Sequence, residues 1–147
     1  MIIRVQKEDF NIADINAQMR GDRHDAGAIA SFTGLVRDLP GLGLKNMTLE
    51  HYPGMTENAL ADIVEKARQR WDIINCAVIH RVGELKPGDQ IVLVSVLTAH
   101  RREAFLACEF VMDYLKTEAP FWKKETDAAS SRWVAAKSSD DQARNRW

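Results

Sequence analysis

Three stretches of the chain repeat apolar residues at intervals of three and four, which is the spacing of an amphipathic helix. They predict helices over residues 11–19, 55–71 and about 101–118. Thr56 is predicted to cap the second helix, and Pro120 to end the third, because it disfavours helical backbone at the residue before it. The serines and aspartates at 138–141 are typical of a helix start and predict a last short helix.

Short segments that are alternating or continuously apolar predict the strands. They cover residues 2–5, 27–37, 46–52, 76–82, 90–98 and 132–134. The segment 90–98 is nearly all apolar, which predicts a strand buried on both faces. A proline-glycine turn at 85–90 is of the kind that joins antiparallel strands. Few helices and many short strands favour an α+β fold, with a mixed or antiparallel sheet and helices on one face.

Composition and charge narrow the class of protein. The 147 residues are 46% hydrophobic and 28% charged, which fits one globular domain spanning residues 1–147. A net charge of −1 provides no bulk attraction to nucleic acid or to an anionic membrane, so neither is expected as a partner. No apolar stretch approaches the ~20 residues of a membrane span, and the amino terminus lacks the apolar region of a signal peptide. The expected location is the cytoplasm.

Familiar cofactor and nucleotide motifs are absent from the sequence. There is no glycine-rich phosphate loop, no dinucleotide-binding glycine motif and no nucleophile elbow around a serine. Cys76 and Cys108 are each embedded in an apolar segment with no second ligand at metal-binding spacing, so both are predicted to be buried thiols. We therefore expect neither a metal nor a bound cofactor.

A basic cluster, His100-Arg101-Arg102, lies where a buried strand passes into a helix. The first turn of a helix carries unpaired N–H groups and partial positive charge, so basic side chains there favour an anion such as phosphate or carboxylate. The alternative is that the arginines form ion pairs with Glu103, Glu84 or Asp89. Residue types alone leave both interpretations open.

Two lysines and a further arginine are the other candidates for chemistry. Lys116 adjoins the apolar stripe of the third helix, and Lys123 follows Phe121-Trp122. Partial desolvation would lower a lysine pKa and permit proton transfer, whereas most lysines at helix ends are solvated and only complement the helix dipole. Arg37 precedes a loop at 38–44 that is rich in glycine, and it could bind an anion or pair with Asp38 or Glu50.

Two histidines occur within predicted strands. His51 follows Glu50, and His80 precedes Arg81. A single histidine on a strand is more often a structural hydrogen-bonding group than a catalytic base, and we predict that role for both.

Seven segments in register resemble the large, catalytic subunit of molybdopterin synthase. The likeness runs from about residue 27 to residue 133. The matching segments are SFTGLVR at 31–37, LEHYPGMTE at 49–57, HRVGEL at 80–85 together with PGD at 87–89, AHR at 99–101, AF at 104–105, DYLK at 113–116, and APFWKKE at 119–125.

The resemblance implies a reaction, a fold and two partners. The family transfers sulfur from the carboxy-terminal Gly-Gly thiocarboxylate of a small ubiquitin-like subunit to cyclic pyranopterin monophosphate, forming the dithiolene of molybdopterin. It implies an α/β hammerhead-type domain with an added small antiparallel sheet. It also implies a homodimer of large subunits at the centre of a heterotetramer. Because the thiocarboxylate is already an activated sulfur donor, the chemistry needs no metal.

The resemblance also implies roles for individual residues. Lys116 and Lys123 match the family's catalytic lysines, which would stabilise developing oxyanions and move protons. The positions implied to bind substrate are Arg37, His100, Arg101, Lys124, Glu125, Leu35 and Val36. Lys124 and Glu125 are expected to line the channel for the partner's tail. Lys137 lies at a position from which a basic side chain could reach the pocket of a neighbouring subunit.

Two other functions compete with sulfur transfer. A non-catalytic module of the same fold could bind an anion and would not need Lys116 or Lys123. A phosphatase-like enzyme could use Arg37 and a water nucleophile without any protein partner. Fold alone does not separate these functions. Sulfur transfer predicts instead that Lys116, Lys123, Arg37 and His100 converge on one pocket.

Overall fold

The computed structural model describes residues 1–38, 46–126, 131–134 and 138–147. The helices are α1 (Ile12–Arg20), α2 (Met55–Arg68), α3 (Arg101–Glu118) and α4 (Ser138–Asn145). The strands are β1 (Ile2–Gln6), β2 (Ala28–Leu35), β3 (Asn46–His51), β4 (Ile73–Arg81), β5 (Gly83–Leu85), β6 (Gln90–Thr98), β7 (Phe121–Thr126) and β8 (Ser131–Val134). The α+β prediction is confirmed.

The larger sheet has the strand order β1-β4-β6-β2. Strand β1 pairs in parallel with β4, and the remaining pairs are antiparallel, so the sheet is mixed. Its central strand β6 is buried from Val92 to Thr98, as its continuous apolar run predicts.

Helices cover both faces of this sheet, so the expectation that they share one face is wrong. Helices α2 and α3 pack on the face that presents Val94 and Val96. Helix α1 packs on the opposite face, where Ile15 contacts the layer that contains Leu93. Because β6 is apolar on both faces, each face of the sheet can be buried in a core. The short helix α1 covers the face that α2 and α3 leave open.

The smaller sheet is antiparallel throughout and has the order β5-β3-β7-β8. The turn at 85–90 leads from β5 of this sheet into β6 of the larger one. Strands β4 and β6 on either side of this connection pair antiparallel, as the turn predicts. Gly83 adopts a φ of 85°, a conformation open to glycine, at the point where the chain leaves β4 and crosses to the smaller sheet. Strand β7 was not predicted, because its pairing with β3 is non-local.

Two helix starts differ in how they are capped. Asn11 caps α1 by accepting a hydrogen bond from the Asp14 backbone N–H at 3.0 Å. Thr56 lies inside α2 rather than capping it, and the Glu57 carboxylate accepts the Gly54 N–H instead. The Thr56 hydroxyl donates to the Pro120 carbonyl at 3.1 Å, which ties the start of α2 to the segment between α3 and β7.

Helix α4 is held against α3 by the residues that follow it. The Trp147 indole N–H donates to the Asp113 carboxylate at 2.6 Å, and its ring lies edge-on to Phe110 at 5.6 Å and to Trp71 at 5.8 Å. Arg146 pairs with Asp113 at 3.0 Å. These contacts attach the carboxy-terminal segment to the main core.

Candidate active site

Lys116 and Lys123 lie on either side of the junction between the two sheets. Lys116 is on the last turn of α3, and the chain becomes extended at Ala119 before it enters β7. Lys123 pairs with Leu49 of β3, two residues beyond Phe121, which pairs with His51. Residues two apart on a strand share a face, so Phe121 and Lys123 lie on the same side of the smaller sheet.

A buried imidazole lies at the centre of this junction. The His80 ring stacks on Phe121, with centroids 3.8 Å apart and planes 22° from parallel. Its Nδ1 lies 2.8 Å from the Arg81 carbonyl oxygen, which only accepts, so Nδ1 carries the proton and Nε2 is the open acceptor. Burial, together with the nearby charges of Lys116 and His51, lowers the pKa of His80 to about 4. His80 is therefore neutral near pH 7.

His51 forms a second link between the elements of the site. Its Nε2 lies 3.5 Å from a carboxylate oxygen of Glu57 on the first turn of α2. Glu57 is already held by the Gly54 backbone N–H. His51 is therefore fixed between β3 and α2, which agrees with the structural role predicted for it and places it beside His80.

Arg37 lies at the same end of the larger sheet as the lysines. It follows β2, whose last residue Leu35 pairs with Gln90 at the beginning of β6. Val36 is buried, and its N–H donates to the Asp89 carbonyl at 2.9 Å, which fixes the backbone just before Arg37. Leu35 is 56% exposed.

His100 and Arg101 lie at the opposite end of the molecule. They follow Thr98, the last residue of β6, which pairs with Ala28 at the beginning of β2. At about 1.5 Å per residue, α3 separates Arg101 from Lys116 by roughly 22 Å. The expectation of one pocket that contains Lys116, Lys123, Arg37 and His100 is therefore wrong for a single chain, because the length of α3 keeps the two groups apart.

The ion-pair interpretation of the basic cluster applies to one arginine. Arg102 lies 3.6 Å from the Glu103 carboxylate and is largely exposed. His100 is the residue before α3, and its side chain makes no capping hydrogen bond, although its carbonyl accepts from the Thr98 hydroxyl at 2.7 Å. His100 and Arg101 are both exposed at this helix start.

The remaining predicted site residues are located by the backbone alone or lie outside the described residues. Lys124 pairs with Thr48 and Trp133, and Glu125 pairs with Met47 and Arg132. Lys137 and positions 39–45 of the glycine-rich loop are not among the residues that the structure describes.

A surface cavity of about 380 Å³ opens on the smaller sheet, on the face opposite to Lys123, and no sequence pattern predicted it. Its lining residues are Glu50, His51, Tyr52 and Trp122. The Tyr52 and Trp122 rings meet edge-on with centroids 4.4 Å apart. The pairing of β3 with β7 places Glu50 opposite Trp122. Predicting the cavity would have required this strand register.

The cysteines behave as the sequence predicts. Cys76 and Cys108 are buried free thiols, and burial raises their pKa values to about 12 and about 11. Within the described ranges, no three His, Cys, Asp or Glu side chains are grouped as metal ligands would be. Among the helices that the structure describes, none is long and apolar enough to cross a membrane.

Comparisons with known proteins agree on one family. The family model described as MoaE protein matches residues 5–118. The molybdopterin synthase catalytic subunit of Ralstonia nicotianae is 60% identical over 146 residues, which cover 99% of this chain and 83% of that protein. The molybdopterin biosynthesis MoaE protein of Burkholderia ambifaria superposes with a TM-score of 0.85 at 53% identity, covering 100% of this chain and 98% of that one. Molybdopterin synthase from Staphylococcus aureus superposes with a TM-score of 0.84 at 29% identity, covering 90% of this chain and 96% of that one.

Proposed function

The chain belongs to the MoaE protein family, and we propose that cationic groups from both ends of helix α3 form its active site. Its activity is the sulfur transfer of molybdopterin synthesis. Sulfur passes from the carboxy-terminal thiocarboxylate of a small ubiquitin-like subunit to cyclic pyranopterin monophosphate, and the product is the dithiolene of molybdopterin. The observation that supports the catalytic assignment is the placement of Lys116 and Lys123 around the His80–Phe121 stack.

The two lysines would act on the charges that develop during sulfur transfer. Attack by the thiocarboxylate sulfur and later release of the carrier both place negative charge on oxygen, and an ammonium group held nearby stabilises it. A lysine can also donate a proton to the oxygen that leaves when the cyclic phosphate opens. Because His80 remains neutral, it adds no third positive charge between the two lysines.

Arg37, His100 and Arg101 would bind the phosphate of the substrate, but one chain does not bring them together. In the described part of the chain, β2 has a neighbour only on its β6 side, so its other edge is open to a second copy. Two β2 strands paired antiparallel would place Ala28 of one chain near Leu35 of the other. The His100–Arg101 pair of the second chain would then lie beside Arg37 and Lys116 of the first.

Exposed apolar side chains on this side of the molecule support the same interface. Phe32 and Leu35 on β2 are 44% and 56% exposed, and Phe105 on α3, which packs against β2, is 67% exposed. Large exposed apolar groups close to an open strand edge favour association, because pairing buries them. The homodimer is therefore part of the proposed active site.

No metal or cofactor is proposed for this reaction, because the thiocarboxylate is itself an activated sulfur donor. We also place the protein in the cytoplasm. Its two buried cysteine thiols, which form no disulfide, support a reducing compartment.

Complementation between two inactive chains tests the shared active site. Lys116→Ala and Arg101→Ala chains are each expected to be inactive alone. When they are co-expressed, half of the dimers are mixed, and each mixed dimer contains one intact site, so activity returns to about a quarter of the wild-type value. Co-expression of two differently tagged Lys116→Ala chains is the control. If the mixture remains inactive while mixed dimers form, all of these groups act within one chain and the proposal is wrong.

A further inference from the structure

The hydroxyl of Thr56 lies where the ladder between β3 and β7 would continue. His51 pairs with Phe121, so the next pair along this ladder would be Tyr52 and Pro120. The hydroxyl joins that pair, because its oxygen accepts the Tyr52 backbone N–H at 3.1 Å and its proton is donated to the Pro120 carbonyl at 3.1 Å. A hydroxyl can accept and donate at once. Thr56 therefore extends the ladder by one pair.

The Thr56 side chain is itself fixed in this position. It is fully buried, and its β-branched form restricts rotation about χ1. Its backbone N–H donates to the Tyr52 carbonyl at 2.9 Å, so two hydrogen bonds join Thr56 to Tyr52 across the turn at 53–55. Gly54 in this turn has a φ of 85°, which glycine adopts without strain. The direction of the hydroxyl is therefore set by the fold around it.

Pro120, which receives the hydroxyl proton, lies between the two lysines along the chain. Lys116 is on the last turn of α3 before it, and Lys123 is in β7 after it. Helical bonding ends where the Ala119 N–H donates to the Leu115 carbonyl at 3.4 Å. Proline has no backbone N–H, so its carbonyl is the one backbone group through which it can be hydrogen-bonded. The bond from Thr56 therefore fixes the point at which the chain turns from one lysine to the other.

We propose that Thr56 is a positioning residue for sulfur transfer, which holds Pro120 and so sets the separation of Lys116 and Lys123. This inference rests on the proposed function, because it assigns a role toward the same two lysines. Thr56 touches no reacting atom and acts only through them. A displacement of about 1 Å at a reacting centre can reduce a rate about 100-fold, so the position of each ammonium group matters.

Two substitutions at Thr56 separate its hydroxyl from its shape. Thr56→Val keeps the branched shape and removes the hydroxyl, whereas Thr56→Ser keeps the hydroxyl. With saturating thiocarboxylated small subunit, Thr56→Val should slow single-turnover product formation about 10- to 100-fold. The half-saturating concentration of cyclic pyranopterin monophosphate should change by less than about twofold, because the groups proposed to bind the phosphate do not move. Thr56→Ser should remain within about threefold of the wild-type rate.

Ser95→Ala is the matched control for loss of a buried hydroxyl. Ser95 is fully buried on the α1 side of the larger sheet, where its hydroxyl is hydrogen-bonded to Ser31 and Asn16, both at 2.6 Å. Its removal should lower the melting temperature about as much as Thr56→Val does. The single-turnover rate should nevertheless remain at the wild-type value, because these bonds do not involve the segment between the lysines.

A double variant tests whether Thr56 acts through the lysine pair. In a Lys116→Ala chain the separation of two lysines no longer exists, so adding Thr56→Val should slow that chain further by less than about threefold. A purely structural defect would instead reduce the rate by the same factor in both backgrounds, since independent effects multiply.

Amide hydrogen exchange at Tyr52, followed by NMR, tests the bridge without turnover. The Tyr52 N–H should exchange at least about tenfold faster in Thr56→Val than in the wild type or in Thr56→Ser. Equal exchange in Thr56→Val and the wild type would overturn the inference.

Three kinetic results would also overturn the inference and leave sulfur transfer intact. They are a wild-type rate in Thr56→Val, an equal loss of rate in Ser95→Ala, and a full further loss in the double variant. Failure of the proposed function is a separate result, in which the wild-type chain itself forms no dithiolene product. The positioning role would then be wrong as well, whatever the exchange rate at Tyr52.

Discussion

At the scale of single residues, His80 connects the fold to the site. It is buried on β4, stacks on Phe121 of β7 and donates its Nδ1 proton to the Arg81 carbonyl. Burial disfavours the imidazolium ion, and the charges of Lys116 and His51 disfavour it further. The same ring therefore joins the two sheets and remains uncharged beside the lysines that we propose to be catalytic.

The lowered pKa of His80 predicts a loss of stability in acid. The unfolded chain binds a proton near the usual pKa of 6.5, and the folded chain only near 4, so the stabilisation is complete above 6.5 and is lost as pH falls toward 4. The loss should amount to about 3 kcal/mol, at about 1.4 kcal/mol for each unit of pKa difference. Urea unfolding across this pH range measures it.

His80→Phe provides the control for that pH dependence. The variant retains a ring that can stack on Phe121 but has no proton to bind. Its unfolding free energy should change less than that of the wild type between pH 6.5 and 4. Parallel curves for the two proteins would show that other groups cause the acid sensitivity.

Lys116 is exposed on the last turn of α3, so its removal should affect chemistry more than folding. We expect Lys116→Ala to reduce single-turnover product formation by about 10²- to 10³-fold, the cost of losing one group that stabilises transition-state charge. Melting temperature should remain close to the wild-type value. Lys86→Ala, an exposed lysine in the turn before β6, should retain full activity. Equal activity of the two variants would remove Lys116 from the mechanism.

Residue types predicted the candidate cations but not their surroundings. Arginines and lysines can be identified in any sequence as groups that bind anions. Whether His80 is neutral depends on burial by β7, which is far from it in sequence. The Glu50–Trp122 pairing depends in the same way on strand register, which no local pattern encodes.

At the scale of elements, the local hydrophobic pattern predicted the bounds of helices and strands best where buried residues follow one another regularly. The bounds of β6 and α3 agree with prediction because one is almost wholly apolar and the other has a regular stripe that ends before Pro120. Strand β7 was missed because Phe121, Trp122 and Lys123 show no regular alternation, and pairing with β3 and β8 determines their conformation. Tertiary pairing therefore determines the strand that contains Lys123, one of the two lysines proposed to be catalytic.

Helix α4 depends on Trp147 for its attachment to α3. Trp147→Ala removes two ring contacts and the hydrogen bond to Asp113, so we expect a loss of about 2–4 kcal/mol in unfolding free energy. Gln142→Ala, an exposed position on the same helix, should change stability by less than about 0.5 kcal/mol. Similar small effects for both would mean that α4 contributes little to the core. Chemical denaturation measures both values.

At the scale of the whole molecule, the two ends of α3 carry different parts of the proposed chemistry. The lysines and Arg37 lie at one end of the larger sheet, and His100 and Arg101 lie at the other. The helix predicted over 101–118 already implies this separation, whereas the resemblance named the residues without the distance between them. Antiparallel pairing of two chains along β2 would bring the two sets together, so the homodimer is part of the catalytic proposal.

The most direct measurement is a product assay on the purified chain. The chain is mixed with a thiocarboxylated small subunit and cyclic pyranopterin monophosphate, and the dithiolene product is detected by mass. We expect product with the wild type and its loss with Lys116→Ala. If the folded wild-type chain binds the small subunit but forms no product, sulfur transfer is contradicted and the chain is a binding module of the same fold. If inorganic phosphate is released without the small subunit, the result favours the phosphatase-like alternative.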